Sequence, residues 1–254
     1  MTFRILVLAA ACSLVFASAA QTGPVQTPAA STAVVLKAAH LFDGRSGRLL
    51  SPGMVVVQGK RIVAVGETAA IPAGARVVDL GDATLLPGFI DAHVHIADDY
   101  NENWAQGVYE GMLRFPVEQS FHAARNAKTT LEAGFTTVRN VGASDFVDVA
   151  LRNAIDQGIT EGPRMLVAGH AIGSTGGHCD SSPYPPDRVK PSGPLEGVCN
   201  GPEECRLATR LQMKYGADVI KICASGGVLS ESDPVDVPQL TPAELTAIMS
   251  EAHA

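Results

Sequence analysis

The chain has 254 residues, with 19 Lys and Arg against 26 Asp and Glu, for a formal charge of −7. No basic run interrupts it, which argues against a nucleic-acid partner. Apolar residues make up 46% and charged residues 18%, a globular balance rather than a disordered one. With aromatics at 5% and 25 glycines, the core must rest on Ala, Val, Leu and Ile, as in tightly packed α/β layers.

The first twenty residues stand apart. Arg4 supplies a short positive start, Ile5 to Phe16 an apolar run, and Ala17-Ser18-Ala19 a small-residue cleavage signal. A membrane-spanning helix takes about 20 apolar residues, so residues 1–20 read as a cleaved secretory signal. Cys12 after Ala9-Ala10-Ala11 raises a lipoprotein signal as the lesser alternative, because the apolar run before it is short. Gln21 to Thr32, rich in Pro, Thr, Ser, Ala and Gln, reads as a flexible leader. The expected location is secreted or periplasmic, with no membrane contact after cleavage.

Residues 33–85 carry the pattern of a small β domain. Strands are expected at Ala33–Ala38, Met54–Gln58, Arg61–Val65 and Arg76–Leu80, with a tight Gly59-Lys60 turn making the second and third an antiparallel hairpin.

From Thr84 the rhythm changes. Strand-like apolar runs at Leu85–Ile90, Thr136–Arg139, Met165–Ala168 and Asp218–Ile222 alternate with helical segments. One helix is expected from Val117 to Glu132, stopped by Gly134, and a second from Ser144 to Gly158. A third opens with Pro202 at its first position and closes at Gly216. Thr241 and Glu244 form a capping box for the last. Strand then helix, repeated, signals a parallel α/β sheet. A closed (β/α)₈ barrel needs eight such units and about 250 residues, so residues 86–254 read either as a small open sheet or as half a barrel.

Four cysteines follow the leader. In an oxidising compartment Cys179, Cys199 and Cys205, in one loop-rich stretch, have a disulfide open to them with its pairing undetermined. Cys223, inside an apolar run, reads as a buried thiol.

The strongest chemical signal is Leu86-Pro87-Gly88-Phe89-Ile90-Asp91-Ala92-His93-Val94-His95. Residues two apart in a strand share a face, so His93 and His95 project together from the carboxyl end of an apolar strand. Two imidazoles so placed suit a divalent metal, and α/β folds keep their active sites at this end. Asp91 falls on the same face and reads as orienting a ligand histidine.

This stretch resembles the metal-binding signature of the amidohydrolase superfamily. Further matches are Ala133-Gly134-Phe135-Thr136-Thr137-Val138-Arg139, Gly173-Ser174-Thr175-Gly176-Gly177-His178 and Gly216-Ala217-Asp218-Val219-Ile220-Lys221. Together they resemble the branch of imidazolonepropionase-like enzymes and Xaa-Pro dipeptidases, over roughly residues 33–254. The resemblance implies the first four units of an incomplete (β/α)₈ TIM barrel, preceded by a small β-sandwich-like domain. It also implies two divalent metal ions, zinc first, with His93 and His95 on one and Lys221, carboxylated on its amine, bridging to the second. A desolvated lysine near cations has a lowered pKa, and only the neutral amine takes up carbon dioxide.

His178 has two open readings: a contact to substrate or to the developing oxyanion, or a structural histidine holding a Gly-rich loop. His170 reads as a residue of the core or one supporting a ligand from behind, and Arg139 and Asn140 as strand-end residues with a place in the pocket lining open to them. His253 reads as a surface residue, and His40, His122 and the Asp98-Asp99 pair receive no role.

The activity implied is hydrolysis of an amide or peptide bond, in a dipeptide, an Xaa-Pro substrate or an N-acyl amino acid; the partner is thus a small molecule or peptide. The family's remaining ligands follow later strands that this chain does not reach, so the expectation is an amino-terminal portion, inactive by itself. Two alternatives stand beside it. One is a non-catalytic remnant or fragment that binds a partner through its open sheet edge. The other is a cyclic-amide hydrolase of the imidazolonepropionase kind.

Overall fold

The computed structural model describes residues 33–180, 185–228 and 233–254, apart from the side chain of Trp104. The signal and leader readings for residues 1–32 lie outside the described residues. The chain divides into two compact units between Pro87 and Gly88.

In the first unit the strands are β1 (Val34–Ala38), β2 (His40–Phe42), β3 (Leu49–Leu50), β4 (Gly53–Gln58), β5 (Arg61–Val65), β6 (Arg76–Asp79) and β7 (Thr84–Leu85). They make a four-stranded sheet in the order β5-β4-β1-β6 and a three-stranded sheet in the order β3-β2-β7. The β4–β5 hairpin turns at Gly59-Lys60, where Gly59 takes a φ of 59°, a left-handed conformation that costs glycine nothing. β1 runs antiparallel to β4 and parallel to β6. Val35 and Val56, paired across the sheet, are buried with Ala64, Ala69 and Ala75 packed around them.

The second unit holds β8 (Phe89–Val94), α1 (Trp104–Leu113), α2 (Pro116–Glu132), β9 (Phe135–Asn140), α3 (Val147–Asp156), β10 (Arg164–Val167), α4 (Gly201–Lys214) and α5 (Pro242–Ala252). β8, β9 and β10 are parallel, with β9 in the middle. Ala123 and Ala127 of α2 and Val147, Val149 and Leu151 of α3 cover Val138, Met165 and Val167 of the sheet. Small alanines on α2 let helix and sheet approach closely. A second core gathers Ile172, Cys199, Cys205, Ala208, Leu240 and Ile248, joining α4 to α5. No helix of the described residues is long and apolar enough to cross a membrane.

The helix ends follow their chemistry. Gly134, with φ 96°, follows the end of α2, and Gly216, with φ 100°, follows the end of α4. Glu203 and Glu204 sit in the first turn of α4 and Lys214 in its last, each sign facing the favourable end of the helix dipole. The Thr241–Glu244 capping box opens α5.

Five expectations need correction. α1 was not foreseen at all. Ser144 opens a 3₁₀ turn, Ser144–Phe146, rather than α3 itself, which starts at Val147 because Asp145 and Phe146 take φ values of 53° and 54° and break the α-helical path. Pro202 lies in the second helical position, after Gly201.

The fourth correction concerns residues 218–222, which run beside β10 without forming a regular strand. Asp218 N–H and Val219 N–H both reach the Val167 carbonyl, at 2.7 and 3.2 Å. The Asp218 carboxylate meanwhile accepts the Val167 N–H at 3.1 Å, taking the place of a ladder bond. Pairing resumes at a parallel bridge between Ile172 and Ile222.

That bridge also overturns the reading of Cys223 as a free thiol. Cys223 pairs with Cys179, Cα–Cα 6.0 Å, and Cys199 pairs with Cys205, Cα–Cα 4.9 Å. Both separations lie in the range a disulfide spans.

Candidate active site

His93 is the penultimate residue of β8 and His95 follows the strand, with ring centroids 5.7 Å apart and planes inclined at 58°. Lys221, at the end of the 218–222 segment, lines one cleft with His93, Arg139, Val141 and Val219, a space of about 250 Å³. The Lys221 ammonium is the largest influence on His93. With partial desolvation and the charges of His95 and Arg139, it holds the imidazole below its ordinary pKa, while Asp91 opposes them. His93 is therefore biased toward the neutral form, the form that donates to a cation.

Asp91 reaches His93 through the main chain. Its carboxylate accepts the backbone N–H of His93 at 3.0 Å, so it fixes the main chain of the strand end rather than the ring. Arg139 donates from Nε to the Ala92 carbonyl at 2.7 Å, bridging β9 to β8 where the register shifts between Asp91 and Val94. Asn140 does not line the cleft, being fully buried.

His178 is not among the residues lining that cleft. Its Nδ1 lies 3.4 Å from the buried Asp233 carboxylate, and its backbone N–H donates to Gln239 Oε1 at 2.9 Å. These contacts fasten the Gly-rich loop to residues 233–239. His170 packs edge-on against Phe146 at 5.0 Å, and burial holds its pKa down. His122 meets Asp99 at 2.6 Å, His40 lies in β2, and His253 caps the end of α5.

The donors brought together are thus two imidazoles and one lysine amine. A zinc centre takes four ligands, and among the described residues no group of three or more His, Cys, Asp or Glu is gathered. The set fits part of a divalent-metal sphere. A larger cleft of about 410 Å³ is walled by Met213, Ile220, Ile248, Met249 and His253. Asp218 also lines it, but that carboxylate is already engaged by Arg152 at 2.6 Å and by the Val167 N–H, so volume alone does not mark the site.

Residues 84–254 match the model of the amidohydrolase family. The chain belongs to that family. Ochratoxinase of Aspergillus niger is 33% identical over 238 residues, covering 86% of this amidohydrolase chain and 47% of the relative. A solved Xaa-Pro dipeptidase with methionine bound in its active site superposes with a TM-score of 0.79 at 36% identity, covering 87% of this chain and 54% of that one. The A. niger ochratoxinase structure gives 0.73 at 30% identity, covering 88% and 54%. The chain therefore spans about half the length of these relatives. The mixed α/β arrangement of the second unit agrees with part of a barrel-type fold in this family.

Sequence reasoning missed the surroundings of His95 in this amidohydrolase. His95 Nδ1 lies 3.3 Å from the Gly142 carbonyl oxygen. Gly142 follows β9, and nothing in Val141-Gly142-Ala143 advertises a contact with the motif 47 positions earlier. Asp148 was also missed. It sits in the first turn of α3, where an acid normally faces water and complements the helix dipole, yet it is fully buried.

Proposed function

We propose that the protein is a secreted, metal-dependent hydrolase of C–N bonds, acting on an amide or peptide bond of a dipeptide, an Xaa-Pro substrate or an N-acyl amino acid. The observation that carries this reading is the convergence of His93 and Lys221 on one cleft, with the His95 ring against His93. Support comes from family membership and from similarity to an Xaa-Pro dipeptidase and an ochratoxinase. A further structural neighbour is a prolidase complexed with N-methylphosphonate-L-proline, matched at a TM-score of 0.74 and 32% identity over 87% of this chain and 54% of that one. The two disulfides favour an oxidising compartment, in line with the secretory reading of residues 1–20.

His93 and His95 would hold a divalent cation, zinc first, as neutral imidazoles. Lys221, carboxylated on Nζ, would add oxygen donors and join a second cation. When bound, the metal supplies Lewis acidity that polarises a carbonyl oxygen. The chain's own residues hold these donors in place. Asp91 pins the backbone of His93, Arg139 ties β9 to the same strand end, and the Gly142 carbonyl takes the proton-bearing nitrogen of His95.

The test uses the full-length protein. Metal analysis with a panel of Xaa-Pro and N-acyl substrates is expected to give close to two equivalents of metal and amide hydrolysis, both lost in His93→Ala and Lys221→Ala. Less than one equivalent of metal, with turnover indifferent to His93→Ala, overturns the reading. Shorter similarities to an allantoinase of Streptomyces avermitilis, 41% identical over 66 residues, favour adding cyclic amides to the panel.

A further inference from the structure

Which nitrogen of His95 faces a cation depends on which one carries the proton. A carbonyl only accepts, so the bond from Nδ1 to the Gly142 oxygen requires a proton on Nδ1 and leaves the Nε2 lone pair open. The Gly142 carbonyl is itself held. Asn140 Nδ2 donates to it at 3.1 Å and to Asp148 Oδ2 at 3.2 Å, while Asn140 Oδ1 accepts the N–H of Ile96 at 2.8 Å. Ile96 is the residue after His95, so one amide grips both the main chain beside the ring and the carbonyl that the ring meets.

The orientation of that amide is not free. Flipping it would set its oxygen against a carbonyl and a carboxylate and its NH₂ against the Ile96 N–H, breaking three bonds at once. Asp148 is anchored in turn by the N–H groups of Gly169 at 3.1 Å and Val149 at 2.8 Å. Both Asn140 and Asp148 are fully buried, so no water competes for these bonds. A sheet could be welded to a helix with apolar side chains at less desolvation cost. A directional donor–acceptor series ending at a candidate ligand does something that apolar packing does not.

We infer that Asn140 and Asp148 are positioning residues that set the tautomer and placement of His95 through the Gly142 carbonyl. The metal side of this role rests on the reading of His95 as a donor; the tautomer side does not.

The experiment is ¹⁵N NMR of the His95 ring in metal-free, full-length protein, at a pH well above the ordinary imidazole range of about 6.5. It covers wild type, Asn140→Asp and Asp148→Asn, with zinc dissociation constants measured alongside. Asn140→Asp keeps the shape and the Ile96 acceptor but removes the donor. The expected result is a single Nδ1–H tautomer in wild type, a mixture in Asn140→Asp, and zinc binding weakened about 10–100-fold. A purely structural role would lower stability and leave the ring signals of the folded variant unchanged, and that outcome overturns the inference. Should Asn140→Asp fail to fold, Asp148→Asn carries the comparison. Should neither fold, an Nε2–H tautomer in wild type overturns the inference and an Nδ1–H tautomer supports it. If His95→Ala binds zinc as wild type does, the metal reading fails while the tautomer result stands by its own measurement.

Discussion

Replacing Glu244 by Ala should loosen the junction of α4 and α5. The Glu244 carboxylate accepts the N–H of Gly201 at 2.7 Å, the N–H of Thr241 at 2.7 Å and the Thr241 hydroxyl at 2.9 Å. Truncation strips two backbone donors of their acceptor, each costing about 1–3 kcal/mol if left buried and unpaired. Thr241 is exposed and water can reach it, whereas Gly201 is half-buried, so the total falls in the lower part of that sum, about 2–4 kcal/mol. Glu244→Gln should cost about half as much, since one amide oxygen still accepts while its NH₂ confronts a donor.

Urea denaturation of the full-length protein at neutral pH measures both variants. The backbone N–H of Thr241, then that of Gly201, holds Glu244 below its ordinary pKa. A carboxyl lowered in the folded state stabilises fully above its unfolded value, about 4.3, and loses that contribution as pH falls through the folded value. The gap between wild type and Glu244→Gln should therefore be flat near neutrality and narrow on acidification below about 4.3. A cost under about 1 kcal/mol for Glu244→Ala, or a gap that widens in acid, refutes the reasoning.

Three more outcomes are expected. A Cβ at Gly88 would overlap the Thr136 side chain, so Gly88→Ala should destabilise by about 1–3 kcal/mol, and adding Thr136→Gly should recover most of it in the same urea assay. An unaltered Gly88→Ala midpoint refutes the packing account. In metal-free protein His93 should titrate below an ordinary histidine, and Lys221→Met should move its NMR midpoint upward, because the lysine charge is the main cause of the shift; no movement removes that cause. Peptide mapping without reductant should return Cys179 joined to Cys223 and Cys199 joined to Cys205, and a free Cys223 contradicts the pairing.

Local chemistry was legible wherever a residue acts on its own neighbourhood. The Gly59-Lys60 turn, the glycines after α2 and α4 and the Thr241–Glu244 box all stand where the residue types place them. The motif around His93 was legible because strand alternation alone puts His93 and His95 side by side. What escaped depends on distant partners. Asp218 spoils a regular fourth strand by spending its carboxylate on Val167. Cys223 looks like a core thiol until the Ile172–Ile222 bridge brings it to Cys179. α1 contains Gly107 and Gly111 and opens on Asn103, whose side chain accepts from the Gln106 N–H, a cap without a strong apolar period behind it. Asp148 is hidden for the opposite reason: its position in a first helical turn already explains an acid, so nothing prompts a search for Asn140.

The link between Cys179 and Cys223 joins residues 44 positions apart in sequence. A protease that cuts anywhere between Asp180 and Val198 therefore releases no piece: the stretch carrying His93 and the stretch carrying Lys221 stay tied by sulfur. Such nicked material runs as one species on a gel without thiol and as two with it, so an intact band under the first condition says nothing about an intact main chain.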